Sequence, residues 1–151
     1  MRHYIEKGNN YAYYNKITNE EPFTEEDSLI KKGLFYDNSR MRLFNHVQYP
    51  DSTYPQAINE ERKKILYKIQ SILAKHNTKY RIIINPLYFQ IRINPYDYNC
   101  LCDVFGKNNV YDFSGVNEWT SDYHNYYEPS HYIPQVSREI MDSIYKNRNG
   151  N

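Results

Sequence analysis

The stretch Tyr80-Arg81-Ile82-Ile83-Ile84-Asn85-Pro86-Leu87-Tyr88 decides the fold class. Three consecutive β-branched residues between turn formers predict a strand buried on both faces, the kind found in parallel sheets. Asn85-Pro86 ends it, because proline cannot donate to a central ladder and pushes the residue before it away from helical angles. Parallel strands need crossover connections, usually helices, and both flanks offer them.

Upstream, residues 59–75 carry Ile65, Leu66, Ile69, Ile72 and Leu73 at i, i+1, i+4, i+7 and i+8, a single apolar stripe. Asn59 is placed to cap that helix. Glu60 and Glu61 suit the positive end of its dipole, and Lys75 and His76 the negative end. Downstream, Asn94-Pro95 reads as an N-cap followed by proline in the first turn, and Gly106 as the stop. That helix would set Tyr98, Leu101, Cys102 and Phe105 on one side. Asn109-Val110-Tyr111-Asp112-Phe113 then predicts a second short parallel strand, ended by Ser114-Gly115. A final helix behind Ile133 turns Val136, Ile140, Met141 and Ile144 inward, with Ser130 available as its cap. The order helix, strand, helix, strand, loop, helix predicts an α/β class: part of a three-layer, flavodoxin-like parallel sheet flanked by helices.

Nothing so regular precedes Ile58. Residues 1–57 read as an irregular or helical, tyrosine-rich segment. The cluster Tyr11-Ala12-Tyr13-Tyr14 shows no clean period and admits either a short helix over residues 10–17 or a peripheral arm. Thr24, followed by Glu25, Glu26 and Asp27, marks a brief helix ending near Gly33. Residues 34–57, with Pro50 and Pro55, read as loop with one or two short elements. The domain boundaries expected are therefore 1–57, 58–147, and a disordered tail at 148–151.

Composition narrows the function classes. Nineteen basic residues against 18 acidic ones give no electrostatic case for nucleic acid or an anionic membrane surface. No apolar run approaches the ~20 residues of a membrane span, and Met1-Arg2-His3-Tyr4 lacks the apolar core of a secretory signal. The compartment is left open. Cys100 and Cys102 are too close in sequence to bridge easily, and no second pair completes a zinc site, so they read as half-buried thiols near the start of a helix. No metal or cofactor is expected. Eighteen tyrosines offer surfaces that stack on sugars or anchor a protein interface; compositional drift, with Asn, Lys and Ile also plentiful, is the simpler account. A partial sheet leaves an apolar face and an edge to cover, which predicts self-association or wrapping by the N-terminal segment.

Ligands of open α/β sheets bind beyond the carboxyl ends of the strands. Here those ends are residues 85–88 and 113–117, and the loop Tyr126-Tyr127-Glu128-Pro129-Ser130-His131-Tyr132 follows the second of them. A carboxylate three residues before a histidine is a layout that holds an imidazole for general-base work. The alternative is a loop pair that merely fixes the approach to the last helix. Asp112 and Asp122 read as a strand-end turn residue and a loop carboxylate. His124 and His131 lack a third ligand. Trp119 is either a sugar-stacking ring or a plug over the core.

The strand ending in a Pro-containing loop, the later strand ending Tyr111-Asp112-Phe113-Ser114, the Tyr127-Glu128-Pro129-Ser130-His131-Tyr132 motif and the closing helix resemble the C-terminal half of SGNH (GDSL-type) hydrolases. The nearest branch is that of acyl-transfer proteins of bacterial surface polysaccharides and lipoteichoic acid. The resemblance covers roughly residues 59–145. It implies an esterase or acyltransferase lineage acting on O-acyl groups of carbohydrate, with His131 as general base and Glu128, where the family usually has aspartate, orienting the ring. It gives the flanking Tyr127 and Tyr132 a role in packing or substrate contact and implies a cell-envelope location; Asn85 and Tyr88 at the first strand end, with Trp119, are the further candidate substrate-binding residues. The family's nucleophile lies in a Gly-Asp-Ser motif. This chain has none, and Ser28, Ser39, Ser52, Ser71 and Ser121 lack its context. Three accounts stay open: a C-terminal half of a longer enzyme, a degenerate relative, or an unrelated α/β domain. The alternative function is a non-catalytic glycan- or protein-binding domain using the tyrosine-rich surface.

Overall fold

A computed structural model describes the backbone of residues 2–7 and 10–15 and the chain from 24 to 145. The chain divides into two compact units, Met1–Met41 and Arg42–Asn151. The expected tail at 148–151 lies outside the described residues.

In the first unit, β1 (Arg2–Lys7) and β2 (Asn10–Asn15) pair antiparallel with Lys7 opposite Asn10. This corrects the expectation of a helix over residues 10–17 as far as Asn15; residues 16 and 17 lie outside the described residues. Gly8-Asn9 between two runs of strand formers is a two-residue hairpin signal. α1 (Thr24–Lys31) has Glu25, Glu26 and Asp27 in its first turn and Lys31 in its last, both favourable to the helix dipole. It stops as predicted: Gly33 takes φ +68°, its N–H bonds the Ile30 carbonyl, and the Leu34 N–H reaches back to Leu29. α2 (Asn38–Met41) is one turn, capped by Asp37 Oδ1 accepting from the Arg40 N–H. Phe35 is fully buried under the Arg40 guanidinium, 4.0 Å from its ring centroid.

The second unit carries the α/β order. α3 (Glu60–Lys75) begins at Asn59, whose side chain accepts from the Arg62 N–H at 2.9 Å. β3 (Ile82–Ile84) and β4 (Val110–Asp112) pair parallel, Ile82 beside Val110 and Ile84 beside Asp112, joined through α4 (Pro95–Phe105). α4 has the predicted boundaries: Asn94 Oδ1 accepts from the Tyr96 N–H, Pro95 opens the first turn, and Gly106 closes it at φ +84°. β5 (Tyr126–Glu128) and β6 (His131–Tyr132) form an antiparallel hairpin leading into α5 (Pro134–Tyr145).

The two faces of the parallel pair meet different helices. Ile82, Ile84 and Val110 pack with Cys100, Val104 and Phe105 of α4 and with Leu66 and Leu73 of α3. Ile83, Tyr111 and Phe113 pack against Val136, Ile140 and Ile144 of α5. The fold is thus mixed α/β, with small two-stranded sheets and helices covering both faces of the parallel one.

Several expectations about burial need correction. β3 is only half-buried along its length, because β4 is its single strand partner among the described residues. The α3 stripe splits into two rows. Leu66 and Leu73 reach the core, while Ile65, Ile69 and Ile72 stay exposed at 54, 43 and 60 %. In α5, Met141 lies off the Val136–Ile140–Ile144 line and is exposed. In α4, Cys100 and Val104 are inner residues beside Phe105; Tyr98, Leu101 and Cys102 are only partly buried. Both cysteines therefore sit in mid-helix, not near its start.

Asp97 was not singled out by its sequence context, yet it is 5 % exposed. Its two carboxylate oxygens accept from the Ala57 N–H at 2.7 Å and the Ile58 N–H at 2.8 Å. A buried carboxylate is tolerable only when so paired, and here it fastens the approach of α3 to the first turn of α4.

Candidate functional site

Pro129 and Ser130 form the turn of the β5–β6 hairpin, so Glu128 and His131 stand as a cross-strand pair. Such pairs project from the same face of the ladder. Tyr127 is the extra residue of a bulge between the Tyr126–Tyr132 and Glu128–His131 pairs. The consequence is direct: His131 Nδ1 is hydrogen-bonded to Glu128 Oε1.

Ser130 completes the arrangement. Its hydroxyl donates to Glu128 Oε1 at 2.7 Å and its backbone N–H donates to Oε2 at 3.2 Å. It does not cap α5, as the sequence had suggested; that helix starts at Pro134, beyond the second strand. Partial burial would raise the Glu128 carboxyl, but the hydrogen bonds from Ser130 and His131 outweigh it and hold the group below the ordinary glutamate range. An ionised Glu128 accepts only, so the imidazole proton facing it sits on Nδ1. That leaves Nε2 as the acceptor of the neutral ring. The His131 side chain is 69 % exposed and Glu128 37 %, so Nε2 stands at the surface beside an oriented partner.

The hairpin is moored at the carboxyl end of β3. Tyr132 donates its hydroxyl to Asn85 Oδ1 at 3.1 Å, the Tyr88 N–H bonds the Pro129 carbonyl at 3.0 Å, and the buried Tyr126 hydroxyl donates to the Pro86 carbonyl at 3.0 Å. Burial, with Tyr132 and Tyr88 nearby, pushes the Tyr126 phenol strongly up, so it remains a donor. The Tyr88 ring packs edge-on against Phe44 and Tyr126.

Of the residues named for substrate contact, Asn85 and Tyr132 are hydrogen-bonded to each other, Tyr132 following His131 in β6. Tyr88 and Tyr127 are 8 and 6 % exposed, so their rings pack inward and leave little face for a ligand. Trp119 lies along α5: its indole N–H donates to Glu139 Oε2 at 2.7 Å and its ring meets Phe113 edge-on at 5.4 Å. That is the plug arrangement.

Three features escaped the sequence reading. Asp122 Oδ1 accepts from the His124 backbone N–H and bonds His124 Nδ1 at 2.8 Å, a second exposed carboxylate–imidazole pair. The His124 backbone bond, against partial burial, lowers the Asp122 carboxyl, and the His124 ring adds to the shift. The Asp-x-His spacing was the available signal. Gln90 is the second: it takes φ +59°, is 7 % exposed, and donates its amide to the Thr120 carbonyl at 2.9 Å. Thr120, fully buried, is the third; its hydroxyl donates to the Gly115 carbonyl and accepts from the Asn117 N–H. A left-handed backbone at a non-glycine residue costs about 1–2 kcal/mol, and the buried amide bond offsets it while fixing the loop after β4 to the loop after β3.

The geometry can hold a neutral imidazole in one tautomer, offer Nε2 to an approaching O–H, and stabilise the imidazolium that forms. Ser130 Oγ lies 3.4 Å from Nδ1, on the carboxylate side, so its hydroxyl serves Glu128 and is not placed to attack a substrate from Nε2. Among the described residues no helix is long and apolar enough to cross a membrane. Comparison with protein-family models, with curated proteins and with solved structures found no match.

Proposed function

We propose that Glu128 and His131 are the acid–base half of an SGNH-hydrolase-like site that cleaves or transfers O-acyl groups of carbohydrate or a related ester, on a flavodoxin-like three-layer framework. The observation that carries this reading is the His131 Nδ1 bond to Glu128 in a hairpin tied by Tyr132 and Tyr88 to the carboxyl end of β3. In this chemistry, Nε2 takes the hydroxyl proton as the nucleophile's oxygen bonds to the ester carbonyl carbon. The tetrahedral adduct then expels its alkoxide, which leaves with the same proton. Glu128 stabilises the imidazolium between the two transfers. The reading requires a serine delivered to Nε2 by sequence other than a Gly-Asp-Ser motif within residues 1–151.

Water substitutes for that serine in a direct test. p-Nitrophenyl acetate hydrolysis by this chain, above the rate of equimolar free imidazole, falls about 10²-fold in His131→Ala and clearly in Glu128→Gln. His124→Ala, which removes the other carboxylate-paired imidazole among the described residues, leaves it unchanged. Equal rates for wild type and His131→Ala would refute the assigned base.

A second reading draws on Tyr49 and Tyr54, exposed on a segment whose N–H groups bond the carbonyls of Phe89 and Arg92, with exposed Tyr96 just beyond. Such a tyrosine strip suits a glycan or another protein chain. Glycan binding abolished by Tyr49→Ala and Tyr96→Ala but indifferent to His131→Ala favours this reading over the first.

A further inference from the structure

α3 carries two seams. Lys63, Leu66, Gln70 and Leu73, spaced 3-4-3, form its half-buried side, and the two leucines among them pack on the core. Arg62, Ile65, Ile69, Ile72 and His76, spaced 3-4-3-4, form another seam, on which the three isoleucines remain exposed at 54, 43 and 60 %. Three adjacent isoleucines in heptad spacing are the a/d pattern of a helix that pairs with another helix.

We propose that this outward seam is a homodimer interface, in which α3 packs antiparallel on α3 of a second copy. The charges choose both the occupant and the direction. Glu61, Lys68 and Lys75 recur every seven residues along one flank of the seam. The opposite flank holds Leu66 and Leu73, already committed to the chain's own core. A parallel pair would set the charged flank of one helix against those core leucines of the other. An antiparallel pair sets charged flank against charged flank, so Glu61 of one copy meets Lys75 of the other, twice by symmetry. Lys68 lies near the twofold axis opposite its own counterpart, and the seam is short. The dimer is therefore concentration-dependent and not obligate.

Sedimentation velocity over low micromolar to submillimolar concentrations tests this. The chain shifts towards a species of twice its 18.3 kDa mass. Ile72→Glu weakens the association about tenfold or more with an unchanged circular-dichroism melt, since the side chain is mostly exposed. Glu61→Lys also weakens it, and adding Lys75→Glu restores it. A wild-type chain that stays monomeric throughout, or a dimer indifferent to Ile72→Glu, overturns the interface. Failure of the charge swap to restore association overturns the antiparallel order.

Discussion

Replacing Asp97 with alanine removes a buried side chain that joins the start of α3 to the start of α4. Both carboxylate oxygens are used, by the Ala57 and Ile58 N–H groups at 2.7 and 2.8 Å, and the residue is 5 % exposed. Hydrogen bonds to a charged acceptor contribute about 1.5–3 kcal/mol each. Ala57 is exposed and Ile58 half-buried, so water reaches the freed N–H groups and the lower figure applies. The expected loss is about 3 kcal/mol in total, a large share of a typical domain's stability. For a domain of this size that lowers the Tm by roughly 10 °C. Asp97 also lies in the first turn of α4, where any acid gains from the helix dipole. Asp97→Glu separates the two effects: it keeps the charge but carries the carboxylate one methylene too far, and should retain most of the loss. Differential scanning calorimetry gives the stabilities, and amide hydrogen exchange at Ala57 and Ile58 reads the bonds themselves. A Tm within a degree or two of wild type, with those amides still protected, would refute the anchoring argument.

Two further outcomes follow from the site and its surroundings. Ser130→Ala deletes a hydrogen bond to Glu128 and raises that carboxyl towards or past the ordinary value of 4.5, as read by NMR titration of the side chain; an unmoved titration would remove Ser130 from the arrangement. Because the folded carboxyl is depressed, its contribution to stability is present above the unfolded value and is lost as pH falls through the folded one. Solvent screening at a side chain 37 % exposed keeps that contribution small. Glu139→Ala frees the indole of Trp119, the chain's single tryptophan, and its emission should shift to the red; an unchanged spectrum would mean that the Glu139 bond does not hold the ring.

Much of the fold was legible because its signals are local. Asn59 caps α3 by reaching an N–H three residues on, and Asn94, Pro95 and Gly106 delimit α4 through their own backbone preferences. The triple isoleucine marked β3, and the later apolar run marked its parallel partner. Gly8-Asn9 was an equally local signal for the first hairpin. Its tyrosine-rich strands, lacking the usual aliphatic alternation, obscured it. The pairing of Glu128 with His131 was legible for the same reason, since three residues across a proline turn bring the side chains together.

What lay beyond the sequence depends on neighbours remote along the chain. Five apolar residues on α3 define a stripe, but only the packing of α4 and a two-stranded sheet decides that Leu66 and Leu73 are covered while Ile65, Ile69 and Ile72 face outward. Nothing near Asp97 announces that its partners lie some forty residues earlier. Likewise the imidazole's bond to its carboxylate is written in the chain, whereas its station at the end of β3 is not. Tyr132 reaching Asn85 and Tyr88 reaching Pro129 place it there, through contacts that exist only once the parallel pair has formed.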